Sequence, residues 1–341
     1  MKTRIRWVDV AKGIAIISIV LGHLANRRIN SVAFTFHVPV FFFLSGYFLN
    51  LDLKVSDFVK KKAKSLLVPY LTTCIVICLL SVPLNILQRE NWIKGLVQWL
   101  FASVYGAGNT FAEPFYIPQI GAIWFLLALF WGEVFLRLLM NLKKGTRVCI
   151  LILIFALSLW SARYLWLPFS LQAGGCALIY IYAGHLFRQV EAKATELSMV
   201  SSEANFVFFL FMAVNWIWTI KNYEGIYFAR AEFLNGVYDI WGNVCGVFVI
   251  LILSKLLADK FKYLPDALSV AGRNSLLIMC VHVLELNLVP WEKVFALCQR
   301  VIPMSNDSFI AFIVFAKVVF ICVGVWVVLK IPFLRRWYGY K

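Results

Sequence analysis

Ten apolar stretches of about 18–23 residues constrain this chain more than any other feature, because each is long enough to cross roughly 30 Å of hydrocarbon as a helix. They predict transmembrane helices over about 7–25, 32–50, 66–88, 120–140, 147–167, 169–187, 203–220, 239–258, 268–290 and 309–330. With 62% hydrophobic residues, 15% charged ones and a mean hydropathy of +0.81, the chain falls outside the soluble globular class. The expected fold is an all-α integral membrane bundle, a single domain over residues 1–341.

A formal charge of +16 would suit nucleic acid if it were concentrated, but the basic residues are spread along the flanks of the spans. Segments on the side of the amino terminus, around Arg4, Lys60, Lys143, Lys193, Lys262 and Arg335, hold more than twice the Lys and Arg of the opposite loops. By the positive-inside rule both termini are cytoplasmic, and the partners are membrane lipids rather than nucleic acid. Asp9 and Lys12 interrupt the first apolar run and Arg27 and Arg28 follow it, which favours a retained span over a cleaved leader. Seven of the eight cysteines lie in apolar runs; Cys298 falls in an outer loop. The chain has no CxxC or Cys/His zinc spacing, so no metal is expected.

Ionisable residues inside spans are costly and read as functional by default. In VDVAKGIAIISIVLGHL, Lys12 and His23 are 11 residues apart, which places both on one helix stripe about 16 Å apart along the axis. Asp9, one turn before Lys12, can pair with it. A purely structural pair at Asp9 and Lys12, with His23 interfacial, is the bland alternative. The second span, FTFHVPVFFFLSGYFL, brings His37 to the outer half and Ser45 and Gly46 deeper, and the ninth brings His282 and Glu285 to the outer layer. Three histidines at one depth beside an acid suit proton transfer, since neutral imidazole takes and returns a proton near pH 7. His185, near the inner end of the sixth span, stands apart. On the cytoplasmic side Lys60, Lys61, Lys62 and Lys64 precede Pro69 and Tyr70; they serve the positive-inside signal and would equally suit a ligand carrying phosphates. Trp92, Trp99, Trp216 and Trp218 read as interfacial anchors.

The ordered set AKGIAIISIVLGH, FHVPVFFFLSGYF, the basic cluster before VPY, the WFL at Trp124 to Leu126, and GRNSLLIMCVH resembles the membrane acyltransferase-3 family, in the branch named for fucose 4-O-acetylase. Lysines stand here where the family more often has arginines, which keeps charge and loses the bidentate fork. The resemblance implies an O-acetyltransferase in a bacterial cytoplasmic membrane, using cytoplasmic acetyl-CoA as donor and a hydroxyl of a cell-surface or lipid-linked glycan as acceptor. It implies His23, Lys12, Asp9, His37 and His282 as catalytic residues, with His23 the base or a transient acyl carrier. Lys61, Lys62, Lys64, Ser45, Gly46 and Tyr70 would hold the donor; Trp124 and Glu285 would meet the acceptor. A permease of related fold, using Asp9, Glu133 and Lys317 as a relay, is the competing expectation.

Overall fold

The computed structural model describes residues 4–24, 26–197, 202–302 and 305–340. Its helices are α1 (Arg6–Gly22), α2 (Arg27–Ala33), α3 (His37–Tyr47), α4 (Val55–Lys62), α5 (Val68–Leu87), α6 (Trp92–Tyr105), α7 (Trp124–Leu139), α8 (Lys144–Ser161), α9 (Leu171–Leu197), α10 (Ser202–Lys221), α11 (Val237–Lys260), α12 (Tyr263–Arg273), α13 (Ser275–Leu288), α14 (Trp291–Val301), α15 (Asn306–Lys330) and α16 (Pro332–Trp337). A two-stranded hairpin, β1 (Ile226–Tyr227) with β2 (Glu232–Phe233), lies between α10 and α11.

The chain is a multi-pass helical membrane protein. Among the described residues, the stretches 27–47, 55–87, 144–161, 203–221, 237–260 and 308–330 are long and apolar enough to cross a bilayer, and α12 with α13 adds a seventh, bent by 69°. Of the ten spans expected, those at α1, α7 and α9 fall short of that measure. α1 and α7 are short, at 17 and 16 residues, and all three carry polar side chains: Asp9 and Lys12 on α1, Glu133 and Arg137 on α7, and Gln172, His185 and Arg188 on α9. α7 buries most of its length, so it meets protein where the peripheral helices meet lipid.

Close helix crossings hold this centre together. At the contact of α1 with α12, a Cβ on Gly272 would sit 1.8 Å from the Asp9 carbonyl oxygen, and one on Gly13 would sit 2.0 Å from that of Leu268. Only glycine permits that approach, which is how membrane helices gain packing without a hydrophobic driving force. Arg6 fixes the same end of the bundle by donating to the Ala258 carbonyl at 2.6 Å and pairing with Asp266 at 2.9 Å.

Residues 89–119, read from the sequence as an outer loop, hold a helix that turns back into the bundle. α6 runs antiparallel to α5: Gly95 abuts Asn85 at one end, and at the other the Tyr70 hydroxyl donates to the Ser103 carbonyl at 2.7 Å. Gly106 ends it with φ +63°, a conformation that favours glycine. From there the chain makes a tight excursion in which Phe111 and Ile117 exchange backbone hydrogen bonds at 3.0 and 2.8 Å, and Ile120 returns to the Ala107 carbonyl at 2.8 Å. At the far end of the sequence, α16 folds the chain back onto the bundle. Tyr338 is buried with its hydroxyl 3.0 Å from Thr73 Oγ1 on α5, and the Tyr340 hydroxyl donates to Asn274 Oδ1 at the α12–α13 bend, 3.0 Å away.

Candidate functional site

α1 ends at His23, and the imidazole turns back on its own helix. His23 Nδ1 lies 2.8 Å from the Ile19 carbonyl oxygen. A carbonyl can only accept, so Nδ1 carries the proton and Nε2 keeps its lone pair. The Ile19 oxygen is one of the four that a helix end leaves without an internal partner, which is why a histidine at this position finds it. His37, at the first turn of α3, repeats the arrangement: its Nδ1 donates to the Ala33 carbonyl, and its ring meets Phe34 edge-on at 5.0 Å.

His282 stands against His23, with His282 Nε2 3.3 Å from His23 Nδ1 and the rings edge to face at 5.0 Å. Its other nitrogen, Nδ1, donates to Glu285 Oε2 at 2.7 Å. Lys317 on α15 donates to Glu285 Oε1 at 2.6 Å and lies 5.3 Å from the centre of the Trp291 ring. His282 and Glu285 have no exposed surface, and Lys317 has little. With Nδ1 of His282 protonated toward Glu285, its Nε2 accepts, so no N–H faces another N–H along the chain. Four side chains from α1, α13 and α15 thus form one hydrogen-bonded line that ends at His23.

His23 is the accessible member of that line. With His37 and Trp124 it borders a cavity of about 370 Å³, closed on one side by residues 108–122 of the α6–α7 connection and on another by the β1–β2 hairpin. The His23 Nε2 lone pair is therefore a base available to whatever fills the cavity. Glu285 is separated from it by His282, and so acts on His23 through that ring.

Toward the other end of α1 lies a charged layer. Glu133 on α7, buried, accepts from Lys62 Nζ and from Ser45 Oγ through the same oxygen, Oε1, and its Oε2 has no partner among the described residues. The helix winds wide over 63–67, directly after Lys62, a local π-turn of the kind often seen at functional sites. Lys12 lies within electrostatic reach of both Lys62 and Asp9. It makes no ion pair with Asp9, and the structural pair weighed from the sequence is not formed. Lys61 and Lys64 point outward and are exposed. Gly46 is a packing glycine, its α-carbon face pressed on the Ile181 carbonyl, and Tyr70 is turned to Ser103. His185 is buried on α9, 3.0 Å from Gln189 Nε2, away from the other three.

Nothing in the sequence joins Lys317 to Glu285, 32 residues apart on different helices, or Lys62 to Glu133, 71 apart. The available signal was the presence of two ions in otherwise apolar runs. Among the described residues no group of three or more His, Cys, Asp or Glu is arranged to hold a metal ion. A family model, acyltransferase 3, described as an acyltransferase domain, matches residues 5–331. No curated protein and no solved structure matches the chain.

Proposed function

The chain belongs to the acyltransferase 3 family, and on that premise we propose that it O-acetylates a hydroxyl of a cell-surface or lipid-linked glycan, drawing acetyl from cytoplasmic acetyl-CoA across a bacterial cytoplasmic membrane. The observation that carries this reading is His23, a cavity-lining ring whose Nδ1 is fixed as a donor and whose Nε2 has no hydrogen-bond partner among the described residues. The motif order points further to the fucose 4-O-acetylase branch.

In this reading the acceptor hydroxyl enters the cavity and gives its proton to His23 Nε2 as its oxygen attacks the thioester carbonyl. A C–O bond forms, the C–S bond breaks, and the imidazolium returns the proton to the departing thiolate, releasing CoA as thiol. General base catalysis of this kind contributes typically about 10²–10⁴-fold. His282 keeps the ring in its tautomer, and Glu285, held by Lys317, supports the positive charge that develops on the imidazoles. The anionic part of the donor lies toward Lys12, whose ammonium has no ion-pair partner among the described residues, and toward the exposed Lys61 and Lys64.

Purified protein in oriented proteoliposomes tests this directly. Labelled acetyl-CoA is supplied only at the cytoplasmic face and a panel of methyl glycosides only at the other. Acetylated glycoside opposite the donor, with free CoA retained on the donor side, is the expected outcome. Product formed only when both substrates share the cytoplasmic face overturns transfer across the membrane. Glycoside transported unchanged, with acetyl-CoA intact, replaces the enzyme by a permease.

A further inference from the structure

The cavity at His23 has walls of a definite chemistry. Among the described residues no Asp, Glu, Lys or Arg lines it. Its polar groups besides the histidines are mostly side-chain amides: Asn109 and Gln119 on the two arms of the excursion after α6, and Asn287 from the end of α13. Asn287 is fixed, since its Nδ2 donates to the Ile120 carbonyl at 2.9 Å, which leaves its Oδ1 free to accept. The amides of Asn109 and Gln119 have no hydrogen-bond partner within the protein among the described residues, and both are accessible to a ligand. Trp124, Phe125 and Tyr227 supply ring surface between these amides.

From this lining we infer that the enzyme selects an uncharged sugar ring and rejects one that carries a carboxylate, with Asn109, Gln119 and Asn287 reading its hydroxyls. The inference rests on the glycan reading given above and adds the class of sugar. An amide both donates and accepts, as a hydroxyl does, so three amides around a ring match a neutral polyol. Aromatic faces carry a negative quadrupole that suits the C–H face of a pyranose. A carboxylate here would lose its water without a cation to replace it, the costly form of burial. The two histidines make this worse for an anion: each commits Nδ1–H to a backbone carbonyl and keeps a lone pair, not a donor, on Nε2. A volume of about 370 Å³ lies near the low end of ligand cavities, about 300–1,000 Å³, and gives room for one ring of a chain rather than several.

Matched substrates isolate the charge. Methyl β-galacturonamide with methyl β-galacturonide, and methyl β-glucuronamide with methyl β-glucuronide, keep the same ring hydroxyls and differ in the charge at C6. They are offered to the full chain in proteoliposomes at saturating acetyl-CoA. For at least one pair the neutral glycoside should show kcat/KM about 100-fold above the uronide, in the range a desolvated unpaired group imposes. Gln119→Arg, a change on an exposed loop that supplies the missing cation, should narrow that ratio at least about tenfold by raising turnover of the uronide. A uronide that equals or exceeds its neutral partner in the unmodified protein overturns the inference. So does a ratio that Gln119→Arg leaves unmoved while the variant still turns over the neutral sugar. If no glycoside of either kind is acetylated while a simple alcohol is, the glycan reading itself fails and takes this inference with it.

Discussion

At the Lys12 end of α1, opposite charges meet directly: Lys62 and Ser45 converge on one oxygen of Glu133, its second oxygen is unpartnered, and Lys12 stands nearby with no ion pair among the described residues. At the His23 end the groups bordering the cavity are uncharged, and the ions Glu285 and Lys317 sit behind His282. The first arrangement leaves the Lys12 ammonium without a direct ion-pair partner among the described residues, which would suit the polyanionic donor proposed above. The second spends its charges internally to fix tautomers, which is what proton transfer to and from a neutral hydroxyl requires. In the proposed reaction one helix would thus present a charged layer to the donor at one end and an uncharged cavity to the acceptor at the other.

The sharpest way to break the comparison is His23→Ala. Transfer to the glycoside should fall about 10²–10⁴-fold in a protein that still accumulates and binds acetyl-CoA within about twofold of normal, read by ligand binding to the solubilised protein. Weakened donor binding to match the lost rate would mean the two ends are not separable. Glu285→Gln removes the charge behind His282 and keeps its shape. It should lower kcat about 10–100-fold with the donor KM unchanged, the pattern of an interaction made in the transition state. Lys12→Met should do the reverse, raising the donor KM about tenfold with kcat largely kept; a loss confined to kcat would move Lys12 out of the donor site. The smallest effect belongs to Lys61→Gln with Lys64→Gln. These exposed charges are screened by salt, so the donor KM should rise only about two- to threefold at low ionic strength and less at physiological salt.

The same comparison marks what a linear reading can reach. Depth along the apolar runs puts His23, His37 and His282 in one layer; in the structure His282 stands against His23, and His37 shares the cavity that His23 borders. By spacing Lys61, Lys62 and Lys64 form one cluster, whereas in the structure the π-turn at 63–67 accompanies a split: Lys62 goes to Glu133 while its neighbours stay in solvent. No periodicity announces such a turn. α6 escaped for another reason. WIKGLVQWLFASVY is 14 residues and carries Lys94, too short and too polar for a span by itself, and it is α5 that makes the bundle accessible to it. The polar walls of the cavity, Asn109 and Gln119, lie beyond that helix and were invisible as long as the stretch read as a loop.

Tyr338 and Tyr340 have a bearing on timing. α13 carries His282 and Glu285, and the Tyr340 hydroxyl holds the bend from which α13 departs, while Tyr338 fills space against α5. These tyrosines are made after every helix they touch. During synthesis the bundle can insert span by span, yet the bend at Asn274 gains its last contact only once residue 340 has left the ribosome and folded back. The bend that sets α13, and His282 and Glu285 with it, therefore gains this contact only after α13 and α15 have been made. A substitution at Tyr340 that frees Asn274 would leave an inserted protein whose histidine line is loosely set.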